Sequence, residues 1–127
     1  MILGIGVDIV EVGRVHAAVE RHGERFLRRI FTEQEVSYCR SGARPEESFA
    51  ARFAAKEAVL KALRVGWQKG ASFGEVEVWT DELGAPGVRL SGRTLELSRA
   101  QGVERLHLSV SHDRNYAVAQ VVAEGRG

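Results

Sequence analysis

The sequence contains little cysteine and almost no net charge, and each shortage excludes a class of function. Its single cysteine, Cys39, excludes an intrachain disulfide, and the neighbouring Tyr38 and Arg40 provide no spacing of metal ligands. The 18 Lys and Arg residues against 17 Asp and Glu give a net charge of only +1, whereas nucleic-acid-binding domains are usually strongly basic. We therefore expect a protein of a reducing compartment with no nucleic-acid partner.

Long hydrophobic runs are also missing. No segment approaches the roughly 18 apolar residues that span a membrane, and the first residues have neither the basic start nor the apolar run of a secretion signal. Apolar residues make up 44% and charged residues 28% of the sequence, as in ordinary globular proteins. We expect one domain over residues 1–127, located in the cytoplasm and without a membrane partner.

Apolar patterns, caps and turns predict an α+β fold. Thr32 and Glu35 form a capping-box pattern, and Pro45 with the acidic pair Glu46 and Glu47 opens a long helix. Hairpins beside a separate group of helices indicate a largely antiparallel sheet packed against helices. Strands are predicted at residues 2–10, 73–80, 88–90, 105–111 and 116–122. Helices are predicted at 12–31 with a bend near Gly23, at 33–42, at 45–65 before a terminating Gly66, and from Ser91 as N-cap to Arg99. Residues 124–127 are predicted to be a frayed tail.

The first strand presents a carboxylate on a face that otherwise lacks side chains. Residues two apart share a face of a strand, so Asp8 lies with Gly4 and Gly6, while Leu3, Ile5, Val7 and Ile9 form an apolar opposite face. Glycine in a strand is often tolerated because a ligand or another backbone approaches closely. Asp8 could equally mark the strand end and cap the following helix, and the strand alone favours this capping role.

The long helix carries charges where its apolar stripe would be expected to continue. At 100° per residue, Glu57 falls on the edge of the stripe of Phe49, Phe53, Leu60 and Leu63. Lys61 follows one turn later, Lys56 lies near the centre of the stripe, and Arg52 comes one turn before it. One interpretation is an exposed Glu57–Lys61 pair with Lys56 extending its amine outward. We favour a functional site, because three charges crowd one apolar edge.

Phosphoryl transfer is the chemistry that fits these residues. Mg²⁺ prefers hard oxygen ligands and usually takes one or two carboxylates, with phosphates and waters as its other ligands. Asp8 and Glu57 could supply two carboxylates from separate elements. Lys61 would place a positive charge on a phosphate, and Arg52 could bind another one with two hydrogen bonds.

A rim histidine and a basic helix are weaker signals. His112 shares its strand face with the apolar Leu106, Leu108 and Val110, whereas His107 has the opposite parity and is expected to face solvent. A lone rim histidine is usually structural, unless it lies near the site. If the predicted helix at 12–31 is continuous, four of its arginines project within about 60° of one another around the helix axis. They are Arg14, Arg21, Arg25 and Arg28. Such a face suits either contact with solvent or an acidic partner helix.

Three motifs resemble a known family. They are residues 4–9 (GIGVDI), residues 52–62 (RFAAKEAVLKA), and residues 109–112 (SVSH) followed by 116–119 (YAVA). In this order, and spread over nearly the whole chain, they are similar to the holo-acyl-carrier-protein synthases, the small single-domain branch of the 4′-phosphopantetheinyl transferases. The resemblance implies that family's α+β fold.

The resemblance implies an activity and a role for each residue. The implied reaction moves 4′-phosphopantetheine from coenzyme A to a serine of apo-acyl carrier protein, in the pathway of fatty acid biosynthesis. Asp8 and Glu57 would bind Mg²⁺, Glu57 and Lys61 would be catalytic, and the serine's proton would pass to Glu57 or to a metal-bound water. Arg52, Lys61 and His112 would bind coenzyme A, the face beginning at Arg14, Arg21 and Arg25 would bind the carrier protein, and a homotrimer would form active sites between subunits.

Two positions depart from the family pattern, and two other functions stay open. Ala85 stands where many relatives have lysine, and Asp113 places a carboxylate after His112. A small Mg²⁺-dependent phosphatase could use the same two carboxylates. A binding module without catalysis could use only the basic helix.

Overall fold

The order of elements in the computed structural model matches the predicted order. The structure describes residues 1–66 and 69–126. The strands are β1 (Ile2–Glu11), β2 (Val76–Thr80), β3 (Pro86–Leu90), β4 (Val103–His112) and β5 (Tyr116–Gly125), and the helices are α1 (Val12–Ile30), α2 (Glu33–Ser41), α3 (Pro45–Leu63) and α4 (Gly92–Ala100).

The strands form two antiparallel sheets, which confirms the α+β class. In the three-stranded sheet the order is β1-β5-β4, with Asp8 opposite Ala119 and His112 opposite Ala117. The smaller sheet is the β2–β3 hairpin, which places Thr80 opposite Pro86. Each predicted functional residue on a strand therefore lies at or near a strand end.

Helix α3 forms the centre of the core and packs against β1. A Cβ atom added to Gly4 or Gly6 would collide with the carbonyl oxygen of Ala62 or Ala58 on α3. The two glycines therefore allow the helix backbone to approach the strand, which is one of the two reasons expected for them. The opposite, apolar face of β1 is left exposed in the single chain.

The predicted start and bend of the first helices are confirmed. The Thr32 side chain accepts from the Glu35 amide and the Glu35 carboxylate accepts from the Thr32 amide, as the capping-box pattern requires. Helix α1 is interrupted at Gly23, whose φ of 56° and ψ of −137° are not helical. Because glycine has no Cβ, it can adopt this positive φ without strain.

Several predicted boundaries are wrong. Helix α3 ends at Leu63 with Arg64 in the left-handed conformation at φ 55°, so Gly66 does not terminate it. The segment Phe73–Glu75 is a 3₁₀ turn before β2. The predicted frayed tail instead belongs to β5 as far as Gly125, which exchanges backbone hydrogen bonds with Met1; Gly127 lies outside the described residues.

Over residues 1–66 and 69–126, no helix combines the length and the apolar character that crossing a bilayer requires.

Candidate functional site

The first cluster joins the end of β1 to the last turns of α3. Lys61 Nζ lies 3.0 Å from Asp8 Oδ1 and donates to the carbonyl oxygen of Val7, also at 3.0 Å. Lysine thus pairs with the strand carboxylate and not with Glu57 on its own helix. Helix α1 begins with Glu11 at its N-cap position and no side-chain cap, so the interpretation of Asp8 as a helix cap is wrong.

Glu57 completes this cluster as a second carboxylate. Burial raises its pKa above the usual value, the negative charge of Asp8 raises it further, and Lys61 opposes both effects. Asp8 and Glu57 are two carboxylates near one lysine that pairs with Asp8 alone, so additional positive charge would stabilise the cluster. Glu57 therefore lies within the electrostatic influence of Asp8 and Lys61, and metal binding by the two carboxylates stays a prediction.

A metal at this point would depend on these two carboxylates. In the part of the chain that the structure describes, no group of three or more His, Cys, Asp or Glu side chains could hold a metal ion. Mg²⁺ commonly binds through one or two carboxylates and completes its octahedron with waters and substrate phosphates. The donor set of Asp8 and Glu57 fits that ion and does not fit a structural zinc site.

The second cluster surrounds Arg52 in a cavity of about 220 Å³. Arg52 is only 7% exposed, its Nη2 donates to Thr80 Oγ1 at 3.0 Å, and its guanidinium lies 4.2 Å from the centre of the Tyr38 ring. Its Nε is buried and has no hydrogen-bond partner among the described residues. Buried donors are nearly always paired in native proteins, so this orphan N–H is available to a bound ligand or a water.

His112 lines the same cavity from the end of β4. Its Nδ1 lies 2.9 Å from Glu47 Oε1, and Arg44 Nη1 lies 3.2 Å from Glu47 Oε2. The sequence did not predict a functional role for Glu47, which was assigned only to the acidic first turn of a helix. Its partner is 65 residues away, so no local pattern could have revealed the contact. His107, as expected, is exposed and pairs with Glu124.

Lys56 belongs to neither cluster. Its side chain is completely buried, its Nζ lies 2.7 Å from Glu35 Oε1, and it donates to the carbonyl oxygens of Phe73 and Val76. Burial lowers the pKa of Lys56, and Glu35 opposes this effect. The interpretation in which Lys56 extends its amine to solvent is wrong, because buried acceptors from α2, from the 3₁₀ turn and from the start of β2 surround it.

The two clusters lie on different sides of α3. Arg52 and Glu57 are five residues apart, which separates them by about 140° around the helix axis. Among the described residues, no hydrogen bond or ion pair joins Arg52 or His112 to Asp8, Glu57 or Lys61. A ligand that contacts both clusters must therefore be long or must bridge two copies of the chain.

The basic face of α1 is shorter than predicted. Arg14, Arg21 and Arg25 are all exposed, but the interruption at Gly23 separates Arg25 from the other two. Beside Arg14 is a largely apolar cavity of about 410 Å³ with Val15, Phe26 and Phe53 in its wall. The N-terminal half of α1 therefore combines positive charge with an apolar recess.

The two departures from the family pattern do not enter the clusters. Asp113 Oδ1 accepts from the amides of Tyr116 and Asn115, and these bonds lower its pKa. Its carboxylate is thus used by the turn between β4 and β5. The Ala85 amide donates to Asp81 Oδ1 in the β2–β3 turn.

Comparison with known proteins gives consistent matches along the chain. A sequence model of the 4′-phosphopantetheinyl transferase superfamily matches residues 4–121. A holo-[acyl-carrier-protein] synthase of Halothermothrix orenii is 47% identical over 124 residues, covering 98% of this chain and 98% of that protein.

Solved structures give the same result. The crystal structure of the synthase from Neisseria meningitidis has a TM-score of 0.89 at 35% identity and covers 98% of this chain and 99% of that one. The synthase of Bacillus anthracis, solved in complex with CoA (3′,5′-ADP), has a TM-score of 0.81 at 39% identity and covers 99% of both chains. Fold and sequence therefore agree over the same residues.

Proposed function

The chain belongs to the 4′-phosphopantetheinyl transferase superfamily as a holo-[acyl-carrier-protein] synthase, and we propose that it works through a Mg²⁺ site formed by Asp8 and Glu57. It transfers the 4′-phosphopantetheine group of coenzyme A to a serine of apo-acyl carrier protein, leaving adenosine 3′,5′-bisphosphate. The observation that carries the metal site is that Asp8, paired with Lys61, lies near enough to Glu57 for its negative charge to help raise the pKa of Glu57.

The charged cluster suits the chemistry of this transfer. The serine oxygen forms a bond to the β-phosphorus of the pyrophosphate as its proton passes to Glu57 or to a water. The bond from that phosphorus to the bridging oxygen breaks, and the negative charge passes to the leaving bisphosphate. Lys61, held by Asp8 and the Val7 carbonyl, would donate to the oxygen on which this charge grows. Mg²⁺ bound by Asp8 and Glu57 would supply further stabilisation of the phosphate charge.

The cavity around Arg52 and His112 suits the nucleotide end of coenzyme A. A phosphate would satisfy the orphan Nε of Arg52, and an arginine fork matches phosphate geometry. The complex of the Bacillus anthracis relative with CoA (3′,5′-ADP) supports a site of this class. Since Arg52 and Glu57 face different sides of α3, we propose that coenzyme A extends from the cavity of one subunit to the metal cluster of a neighbour.

An exposed apolar sheet face supports the proposed homotrimer. Ile5, Val7 and Ile9 on β1 are 60%, 55% and 65% exposed, and Val122 and Val118 lie opposite Ile5 and Ile9 on β5. Contiguous exposed apolar surface is typical of a protein interface. Burying this face against other copies would also bring the clusters of different subunits together.

We expect Ile5→Glu to convert the trimer into monomers and to reduce transfer strongly, because a carboxylate would be buried in the apolar interface. Sedimentation velocity and a transfer assay measure the two effects. Leu83→Glu is the matched control, since Leu83 is an exposed apolar residue at the tip of the β2–β3 hairpin, 93% exposed. An Ile5→Glu protein that stays trimeric would contradict this use of the sheet face.

The carrier protein is proposed to dock on α1. Acidic carrier surfaces would meet Arg14, Arg21 and Arg25, and an apolar side chain of the carrier would enter the recess beside Phe26 and Phe53. Opposite charges across an interface accelerate association and fix orientation. We propose that the reaction takes place in the cytoplasm and supplies carrier protein for fatty acid biosynthesis.

Reversing Arg14 and Arg21 to Glu is expected to raise KM for the carrier protein by about tenfold or more while changing KM for coenzyme A little, because like charges would then meet at the docking face. Steady-state kinetics with each substrate varied in turn measures this difference. Arg99→Glu, an exposed charge reversal on α4, should leave both constants unchanged. Equal increases in KM for both substrates would contradict the proposed docking role of α1.

The transfer itself is tested by incubating the protein with coenzyme A, Mg²⁺ and apo-acyl carrier protein and measuring the intact mass of the carrier. A gain of one phosphopantetheine group, absent when the acceptor serine is replaced by alanine, is the expected result. Release of phosphate or pantetheine phosphate without modification of the carrier would indicate a phosphatase. Intact coenzyme A with a bound but unmodified carrier would indicate a binding module.

A further inference from the structure

Glu47 is a buried carboxylate at the back of the coenzyme A cavity. It lies in the first turn of α3 and is only 5% exposed. One of its oxygens is 2.9 Å from His112 Nδ1, and the other accepts from Arg44 Nη1. His112 in turn lines the cavity together with Arg52. Glu47 can therefore affect a ligand in this cavity through the imidazole that it holds.

The contact determines which ring nitrogen carries a proton. An ionised carboxylate can only accept hydrogen bonds, and the hydrogen bond from His112 lowers the pKa of Glu47, against the effect of burial and with support from Arg44. Nδ1 of His112 is therefore a donor. A neutral ring with its proton on Nδ1 has a lone pair at Nε2, which would repel a phosphate oxygen. The ring can donate to phosphate from Nε2 only when both nitrogens are protonated.

Four of the described residues contribute charges around His112. Arg44 contacts Glu47, and Arg52 lines the same cavity as His112, so both arginines oppose a positive charge on the ring. Asp113 follows His112 and its charge also acts on the ring, but its carboxylate is exposed and its Oδ1 accepts from the turn amides. Glu47 is the buried anion in direct contact with the imidazole, and it offsets the two arginines.

We propose that Glu47 is a positioning residue for coenzyme A binding: its carboxylate accepts from His112 Nδ1, leaves the Nε2 edge of the ring available to a phosphate of coenzyme A beside Arg52, and balances the imidazolium that forms when that phosphate binds. This inference rests on the proposed function, in which the cavity binds the nucleotide end of coenzyme A. The carboxylate–histidine pair orients the ring and supports its charge, as such partners do at other sites.

The test measures binding of adenosine 3′,5′-bisphosphate by titration calorimetry at neutral pH. The proteins are the wild type, Glu47→Gln, His112→Gln and the double variant, with Glu46→Gln as the matched control on the exposed side of the same helical turn. We expect Glu47→Gln and His112→Gln each to weaken binding by about tenfold, the size expected for a lost charge-assisted hydrogen bond. The double variant should bind like His112→Gln alone, because Glu47 acts through the imidazole, and Glu46→Gln should bind like the wild type.

The ¹⁵N NMR spectrum of the His112 ring gives a readout that a merely structural role would not change. With adenosine 3′,5′-bisphosphate bound, the wild type should show both ring nitrogens protonated at neutral pH, and Glu47→Gln should leave the ring largely neutral in the same complex. A neutral ring in the wild-type complex would overturn the proposal without any variant, so a poorly folding Glu47→Gln protein does not prevent the test.

Two binding results would also overturn the inference. One is unchanged binding in Glu47→Gln when His112→Gln binds weakly, and the other is an equal loss from Glu47→Gln whether or not His112 is present. In either case a wild type that still modifies the carrier protein leaves the proposed function intact. A wild type that neither binds the bisphosphate nor modifies the carrier contradicts the proposed function itself.

Discussion

Asp8→Asn and Glu57→Gln are each expected to lower kcat/KM for phosphopantetheine transfer by about 10²-fold or more, the size found when a group that stabilises transition-state charge is removed. Each variant removes one of the two carboxylates proposed to hold Mg²⁺. Asp8→Asn also removes the anion that holds Lys61 Nζ at 3.0 Å. Initial rates at saturating Mg²⁺ and coenzyme A measure the loss.

The same variants should fold normally, and this separates the metal site from a structural role. In the folded chain the pKa of Glu57 is raised by burial and by Asp8, so its ionisation disfavours the folded state as the pH rises through that pKa. Glu57→Gln should therefore keep or raise the Tm at neutral pH while losing activity. Glu46→Gln, on the exposed side of the first turn of α3, is the control that should keep full activity and lower the Tm only slightly, because it removes one acidic charge from the start of the helix. Nearly normal transfer by both site variants would refute the metal site.

Lys56→Met is expected to destabilise the fold by about 3–5 kcal/mol, the usual result of removing one partner of a buried ion pair. The change leaves the Glu35 carboxylate buried without the ammonium that lies 2.7 Å from its Oε1. It also removes the donor that joins α3 to the carbonyls of Phe73 and Val76. Urea unfolding followed by circular dichroism measures the loss.

Two further proteins make the Lys56 result specific. Lys69→Met alters an exposed lysine and should change the free energy of unfolding by less than about 0.5 kcal/mol. Adding Glu35→Gln to Lys56→Met removes the buried anion and should recover part of the stability, so the two effects should not add. A cost for Lys56→Met as small as that of Lys69→Met would mean that the buried pair contributes little.

Patterns of short range were predictable from the sequence. The capping box at Thr32 and Glu35 and the bend at Gly23 depend on neighbouring residues, so the sequence alone contained the necessary information. The end of α3 was mispredicted because Arg64 adopts the left-handed conformation that glycine usually provides. Local residue preferences could not reveal that exception.

Contacts between distant segments limited prediction of the site. The helical projection placed Lys56 in the apolar stripe, but it could not show that Glu35, from another helix, pairs with it. The pairing of Lys61 with Asp8, and of Glu47 with His112, depends on how α3 crosses the sheet. The family resemblance predicted that Asp8 and Glu57 act together, whereas the contact of Glu47 with His112 became visible only in the folded structure.

The measurement that tests the central claim most directly is divalent metal binding in the presence of coenzyme A, using Mn²⁺ as a paramagnetic substitute for Mg²⁺ and detecting the free ion by electron paramagnetic resonance. We predict that the wild type binds Mn²⁺ more tightly when coenzyme A is present, because phosphate oxygens complete the coordination begun by Asp8 and Glu57. Asp8→Asn and Glu57→Gln should each lose most of this binding, while Glu46→Gln should retain it. Wild-type affinity in both site variants would contradict the account.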